Sequence, residues 1–278
     1  MQFSVFAPEL ERIETALTKV LGEPQYQALA PLWKSMSYSL NSGGKRFRPV
    51  LSLLTAKALK KSSEQVLPIA LAVEMIHTYS LIHDDLPMLD NDDMRRGQPS
   101  NHKVFGDALA LLAGDGLLTA AFGVLAQSQS HQVGRALAEL AKAAGPAGMV
   151  GGQVMDIAVA NSNEVSVEHL KNIHELKTGA LIAVSVSGAA LLCEAKPEEL
   201  KSLTHFGQLL GFAFQLADDI QDHKDDRPEK VSYTAKLGKA QTLKLLEQTS
   251  QQALAELNSF GAEADGLRQM VQFNLSRI

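Results

Sequence analysis

The stretch Glu74-Met75-Ile76-His77-Thr78-Tyr79-Ser80-Leu81-Ile82-His83-Asp84-Asp85-Leu86-Pro87-Met88-Leu89-Asp90-Asn91-Asp92-Asp93-Met94-Arg95-Arg96-Gly97 decides how the chain is read. An apolar helical pattern runs into five aspartates within ten residues and then into two arginines. At 100° per residue His77 and Asp84 share one helical face, with Ser80 between them. Pro87 cannot continue a helix and biases Leu86 away from the helical region, which ends the helix near Asp85. The following loop folds back and brings Asp90 towards Asp84.

Outward from this stretch, the pattern is helical on both sides. Leu10, Ile13, Leu17, Val20 and Leu21 follow Pro8 at helical spacing until Gly22, and a second helical pattern runs from about residue 25 to 40. Gly43-Gly44 then precede Lys45-Arg46-Phe47-Arg48-Pro49. Glycines and cations at a helix start suit an anion, although a solvated basic turn has the same composition. Ser62 or Ser63 caps the helix that carries His77, with Pro68 in its first turn. Phe105 to Gln127 reads as a long helix. Gly151-Gly152-Gln153-Val154-Met155-Asp156 places Gln153 and Asp156 on one face. From Ser166 a capped helix begins, and Lys177-Thr178-Gly179-Ala180 interrupts it. The uncharged run from Thr178 to Cys193 is shorter than a membrane-spanning helix and reads as a buried central helix.

The helix from Phe206 to His223 carries a second acidic cluster, Gln215-Leu216-Ala217-Asp218-Asp219-Ile220-Gln221-Asp222. Gln215, Asp218 and Asp222 form one stripe. Two closing helices, about 240–260 and 264–277, complete an all-α reading without alternating strands.

With 278 residues and 45% hydrophobic content the chain can form one large domain spanning 1–278. A formal charge of -5 gives no reason to expect nucleic acid or an anionic membrane surface. The single cysteine, Cys193, excludes an internal disulfide and suits a reducing cytoplasm. The N-terminus lacks the pattern of a signal peptide.

Two clusters of hard oxygen ligands, far apart in sequence and each on an apolar helix, suggest Mg²⁺, which is held by few carboxylates together with substrate phosphates. Lys45, Arg48, Arg95, Arg96 and Lys177 then read as phosphate ligands. The apolar helices beneath suit a hydrocarbon tail. His83-Asp84 with His77 alternatively suggests an HD-type phosphohydrolase, but the further histidines such a site needs are not near. A non-catalytic helical scaffold explains one acidic cluster and not two with matching cations.

Taken in order, Gly43-Gly44-Lys45-Arg46-x-Arg48-Pro49, Asp84-Asp85-x4-Asp90, Arg95-Arg96-Gly97, Gly151-Gly152-Gln153-x2-Asp156, Lys177-Thr178-Gly179 and Asp218-Asp219-Ile220-Gln221-Asp222 resemble the short-chain trans-isoprenyl diphosphate synthases over nearly the whole chain. The resemblance implies an isoprenoid synthase bundle of about ten or more helices around a deep central cavity, usually a homodimer, without stable membrane anchoring. It implies a prenyltransferase that joins isopentenyl diphosphate to dimethylallyl and then geranyl diphosphate, yielding farnesyl diphosphate; geranylgeranyl or geranyl diphosphate is the alternative product, and an inactive helical subunit the alternative class. Three Mg²⁺ ions, or Mn²⁺ in their place, would be held by Asp84, Asp90 and Asp218, with Asp85, Asp219 and Asp222 completing the metal set. Arg95, Lys177 and Lys230 would hold the allylic diphosphate, and Gly44, Lys45, Arg48, His77 and Arg96 the isopentenyl diphosphate. Thr178 and Gln215 would turn oxygen dipoles towards the cationic intermediate.

In this family an aromatic five positions before the first motif limits the tail. Here it is Tyr79, about 7.5 Å below Asp84 along the helix, with Ser80 leaving space beside it. The segment 223–234 is shorter than the family pattern. Lys230 aligns with one family lysine, and Lys224 is the candidate replacement for another.

Overall fold

The computed structural model describes residues 3–160, 165–222 and 232–278. Lys224 and Lys230 lie outside them. Fourteen α-helical segments are present among the described residues. Helix α1 (Ala7–Val20) buries Ile13 and Leu17 against the bundle, with Pro8 in its first turn. Helix α2 spans Ala30–Leu40, shorter than the pattern from residue 25 suggests. Pro31 accounts for the difference, because proline fits a first turn and not a helix interior. Helix α3 (Phe47–Ala58) is buried along most of its length.

Helix α4 (Leu67–Asp84) starts with Pro68 in its first turn and ends with Asp85 as its C-cap, as Pro87 dictates. It is apolar almost all round, which suits only a central position. A two-residue antiparallel hairpin follows, β1 (Met94–Arg95) and β2 (Gln98–Pro99), absent from the all-helical expectation. Its turn residues Arg96 and Gly97 have φ of 53° and 77°, the double left-handed turn that matches strand twist. Helices α5 (Asn101–Phe105) and α6 (Asp107–Leu125) come next. The α4 and α6 pair forms the most extensive helix contact in the fold.

Helices α7 (Val133–Ala144) and α8 (Met149–Ala160) lead to α9 (Val167–His174), whose Ser166 cap accepts from the His169 N–H at 3.0 Å. A single π-helical turn, Glu175–Gly179, joins α9 to the buried α10 (Ala180–Leu192). Helix α11 (Pro197–Asp222) begins well before Phe206, its polar opening carrying Glu198 and Glu199 in the first turn where the helix dipole favours them. Helices α12 (Tyr233–Leu237), α13 (Lys239–Ala255) and α14 (Asp265–Leu275) close the chain.

Helices α3, α4 and α10 share the main core, while a second apolar cluster, including Leu170, Ile173, Leu216, Ile220 and Tyr233, supports the second acidic motif. Among the described residues three helical segments are long and apolar enough to cross a membrane by length and composition: Ser63–Asp84, Asp107–Leu125 and Val167–Leu192. The first and third are mostly buried within the fold, whereas α6 exposes much of its surface, Leu111 and Leu112 included.

Candidate active site

The first acidic motif is shaped by the end of α4. The Asp90 N–H donates to the Asp84 carbonyl at 2.8 Å, so the loop does fold back over the helix end. From α8, Gln153 Nε2 donates to Asp84 Oδ1 at 3.1 Å, while Gln153 Oε1 is buried without a partner among the described residues. One turn further along α8, Asp156 Oδ2 accepts from Lys177 Nζ at 2.6 Å. Burial pushes the Asp84 carboxyl up to about 6; Lys177 opposes that shift and Asp90 adds to it. Gly152 lets α8 approach this closely: a Cβ there would sit 2.3 Å from the Lys177 backbone nitrogen. The π-turn holds Lys177 and Thr178, both half-buried, against α8.

Asp85 points the other way. It is buried, its carboxyl raised by burial and drawn back by Arg95, whose Nε donates at 2.9 Å. Arg95 also reaches Asp92 Oδ2 at 2.8 Å. Arg95, expected as a phosphate ligand, thus meets two carboxylates in this structure.

The second half of the site gathers cations. Arg96 Nη1 donates to the Gly43 carbonyl at 2.6 Å, and a Cβ on Gly44 would meet Arg96 Cζ at 2.9 Å. Arg48 Nε is buried without a partner among the described residues, and burial lowers this guanidinium to about 10, still charged at neutral pH. His77 is held well below its ordinary pKa by burial and then by Arg48 and Arg96, so it is neutral. Burial lowers Lys45, with Arg277 adding to that shift and Asp218 opposing it. A concentration of positive charge around a neutral imidazole is a pocket for an anion.

Asp218 lies in the same field. Its carboxylate is met by Arg277 Nη2, and Gln215 Nε2 approaches it at 3.4 Å. Arg277 is stacked 4.2 Å over the Phe214 ring and also donates to Gln221 Oε1 at 3.0 Å. Asp222 is exposed. Asp219, grouped with the metal ligands from sequence, is buried facing elsewhere: it accepts from the Tyr233 N–H at 2.8 Å and lies 3.8 Å from His174 Nε2. Adjacent residues on a helix point about 100° apart, so Asp218 and Asp219 serve different sides. Among the described residues no three Asp, Glu, His or Cys side chains converge closely enough to hold a metal ion by themselves. The acidic motifs instead form two half-sites, each with its own cations.

Residues 30–250 match the model of the polyprenyl synthetase family. The chain belongs to that family. A farnesyl diphosphate synthase of Geobacillus stearothermophilus is 48% identical over 217 residues, covering 76% of this chain and 72% of that one. A geranylgeranyl diphosphate synthase of Cyanophora paradoxa is 36% identical over 285 residues, covering 96% and 93%. The apo crystal structure of an FPP/GFPP synthase from Zymomonas mobilis superposes with a TM-score of 0.90 at 34% identity, covering 97% of each chain.

Some polar residues central to this polyprenyl synthetase site carry no role in the sequence reading. Glu74 is a buried carboxylate on α4 that receives Arg46 Nη1 at 2.7 Å and lies 3.6 Å from Arg96 Nη2. Arg46 is itself fully buried, with Glu14 and the Leu40 carbonyl as further partners. A lone glutamate in the apolar run before His77 was the available signal. Gln153 and Asp156 were visible as a shared face, though not as partners of Asp84 and Lys177. Arg277 carried no local signal at all.

Proposed function

We propose that this chain is a trans-prenyltransferase that condenses isopentenyl diphosphate with dimethylallyl and then geranyl diphosphate, giving farnesyl diphosphate and pyrophosphate. The observation that carries the reading is the division of one site into two halves. Asp84, Asp90 and Lys177 form one; Lys45, Arg48, His77 and Arg96 form the other, with Asp218 between the cations of the second.

The donor set fits Mg²⁺. It offers carboxylate oxygens, a buried amide oxygen at Gln153 with no partner among the described residues, and an Asp84 carboxylate whose burial calls for a counter-charge. Asp84, Asp90 and Asp218 would hold the metal, with Asp222 in support and substrate oxygens completing the shell. Bound Mg²⁺ supplies neutralisation of the diphosphate as it departs. Mn²⁺ has the same hard-oxygen requirement. Asp219 is assigned to support of the Tyr233 segment instead.

Lys177 faces the allylic diphosphate with its ammonium group, where it stabilises the leaving group as the allylic C–O bond breaks. Arg95 contributes through Asp85, fixing the hairpin that presents Arg96. Arg48, Lys45 and Arg96 hold the isopentenyl diphosphate. Its double bond attacks the allylic cation, forming the new C–C bond, and the released pyrophosphate takes the proton. Thr178 and Gln215 face the cation with oxygen dipoles, and the apolar walls exclude water.

We assign the floor to Tyr79, buried on α4 below Asp84, its phenol pushed up to about 12 by burial and then by Asp84. Tyr79→Ala lengthens the main product from C15 to C20 or beyond, read by chromatography of the dephosphorylated products. Unchanged C15 removes Tyr79 from this role.

The exposed apolar face of α6, around Leu112, suits a homodimer of cytoplasmic chains, each chain acting as one domain. The deciding test is incubation of purified protein with Mg²⁺, isopentenyl diphosphate and each allylic diphosphate in turn. Farnesyl diphosphate is expected from either starter. Cyclised products, inorganic phosphate release without coupling, or no turnover would overturn the reading.

Metal binding must compete with the Asp84 proton. Since its folded-state pKa is raised to about 6, the stability Asp84 contributes is greatest below the ordinary carboxylate range and is lost as pH rises through about 6. Mg²⁺ takes the deprotonated form. The Mg²⁺-induced rise in Tm is therefore small near pH 5 and grows to a plateau by about pH 7. A rise independent of pH between about 5 and 7 contradicts this placement of Asp84.

A further inference from the structure

We propose that His83 and Gly114 form a brace that fixes the orientation of Tyr79, making His83 a positioning residue for product length. The inference rests on the prenyltransferase reading above and extends it to a side chain outside the acidic motif. His83 stands four residues after Tyr79 on α4, on the same face, and the two rings meet edge to face with centroids 5.6 Å apart at 77°. The imidazole does not turn towards the diphosphate site. It crosses to α6, where Nε2 lies 3.0 Å from the Leu111 carbonyl and 4.0 Å from Asp115 Oδ1. A carbonyl only accepts, so Nε2 carries the proton and donates.

The ring reaches this position through a gap on α6. A Cβ built on Gly114 would lie 2.0 Å from His83 Nε2 and 2.4 Å from His83 Cδ2. Any side chain there expels the imidazole. Glycine in mid-helix costs about 1 kcal/mol relative to alanine, and the space it leaves is filled by His83.

The consequence concerns Tyr79. A ring that limits a growing chain must resist the hydrocarbon pressing on it, and a tyrosine rotamer yields when its neighbour is missing. His83, tied to α6 at one edge and against Tyr79 at the other, removes that freedom. Bulk at Tyr79 sets the limit, and His83 keeps the bulk in place.

Three variants test this alongside wild type and Tyr79→Ala. His83→Ala and Gly114→Ala should each move product from C15 towards C20, raising the C20 to C15 ratio at least fivefold. His83→Gln, which keeps an N–H for the Leu111 carbonyl, should return part of that shift. The ratio is measured on folded protein only, and a loss of stability without a change in product would not move it. If Tyr79→Ala lengthens the product while His83→Ala and Gly114→Ala keep the wild-type ratio, the brace is wrong and the floor stands. Unchanged product in all variants overturns the floor and the brace together. Should His83→Ala and Gly114→Ala both fail to fold, His83→Gln decides: its crystal structure must show Tyr79 partly displaced together with a product shifted part-way towards C20, and an undisplaced Tyr79, or a displaced Tyr79 with unchanged C15, overturns the brace.

Discussion

Replacing Asp84 by Asn lowers prenyl transfer by about 10²–10³-fold while leaving the metal-free protein as stable as wild type or more stable. The two halves of this result have separate causes. The loss of rate follows from removing a negative charge from the site proposed to gather Mg²⁺ around a diphosphate. The gain in stability follows from burial, which already pushes the Asp84 carboxyl up to about 6 in the absence of metal. At neutral pH the folded protein holds an ionised carboxylate that its surroundings disfavour. An asparagine has the same shape, carries no charge, and still offers an oxygen to Gln153 Nε2, which donates to Asp84 at 3.1 Å. Thermal melts at about pH 8 without metal, then with millimolar Mg²⁺, separate the effects. The variant should melt at or above the wild-type temperature without metal and lose the Mg²⁺-dependent increment. A clear drop in the metal-free Tm would show that the carboxylate is a net stabilising group and overturn the argument.

The second large effect is on folding. Glu74→Gln should cost about 3–5 kcal/mol, the expected result of removing one partner from a buried ion pair. Arg46 has no solvent-exposed side-chain surface, and its other carboxylate partner, Glu14, is substantially exposed. Taking the charge from Glu74 leaves a buried guanidinium facing a neutral amide. Arg96 loses its carboxylate neighbour at the same time. Urea unfolding should show the midpoint falling with little change in slope, and the KM for isopentenyl diphosphate should rise as Arg96 drifts. Stability within about 1 kcal/mol of wild type would mean that Glu14 alone neutralises Arg46.

The first motif was legible because its signals are local. Pro87 ends α4 where the sequence says it must, and the seven-residue spacing of His77 and Asp84 survives in the fold. The second motif was legible as a helical stripe of Gln215, Asp218 and Asp222, yet the stripe did not say what Asp219, which lies off it, would meet. Asp218 faces Arg277 and the cations, while Asp219 faces Tyr233 and His174. That choice depends on how α11 is rotated against α12 and α14, which neighbouring residues do not encode. Arg95 shows the same limit: its charge suggested a phosphate, and the hairpin also brings it to Asp85 and Asp92, which the sequence did not indicate. Glu74, Arg46 and Arg277 were missed because the Glu74–Arg46 pair spans 28 residues and the Arg277–Asp218 pair 59. Only the packed chain brings them together.

The π-turn at Glu175–Gly179 places one surplus residue between two stretches of ordinary helix. Each residue advances a helix by about 100°, so α9 and α10 are phased independently although the backbone runs through both. Deleting a single residue here would not trim a loop. It would turn the buried face of α10 by more than a quarter of a revolution relative to α9, carrying Ser185 out of register with Ser52 on α3 and Val186 out of register with Gly207 on α11. The tolerated unit of change at this joint is therefore a substitution, and a length variant would read as a different fold assembled from the same helices.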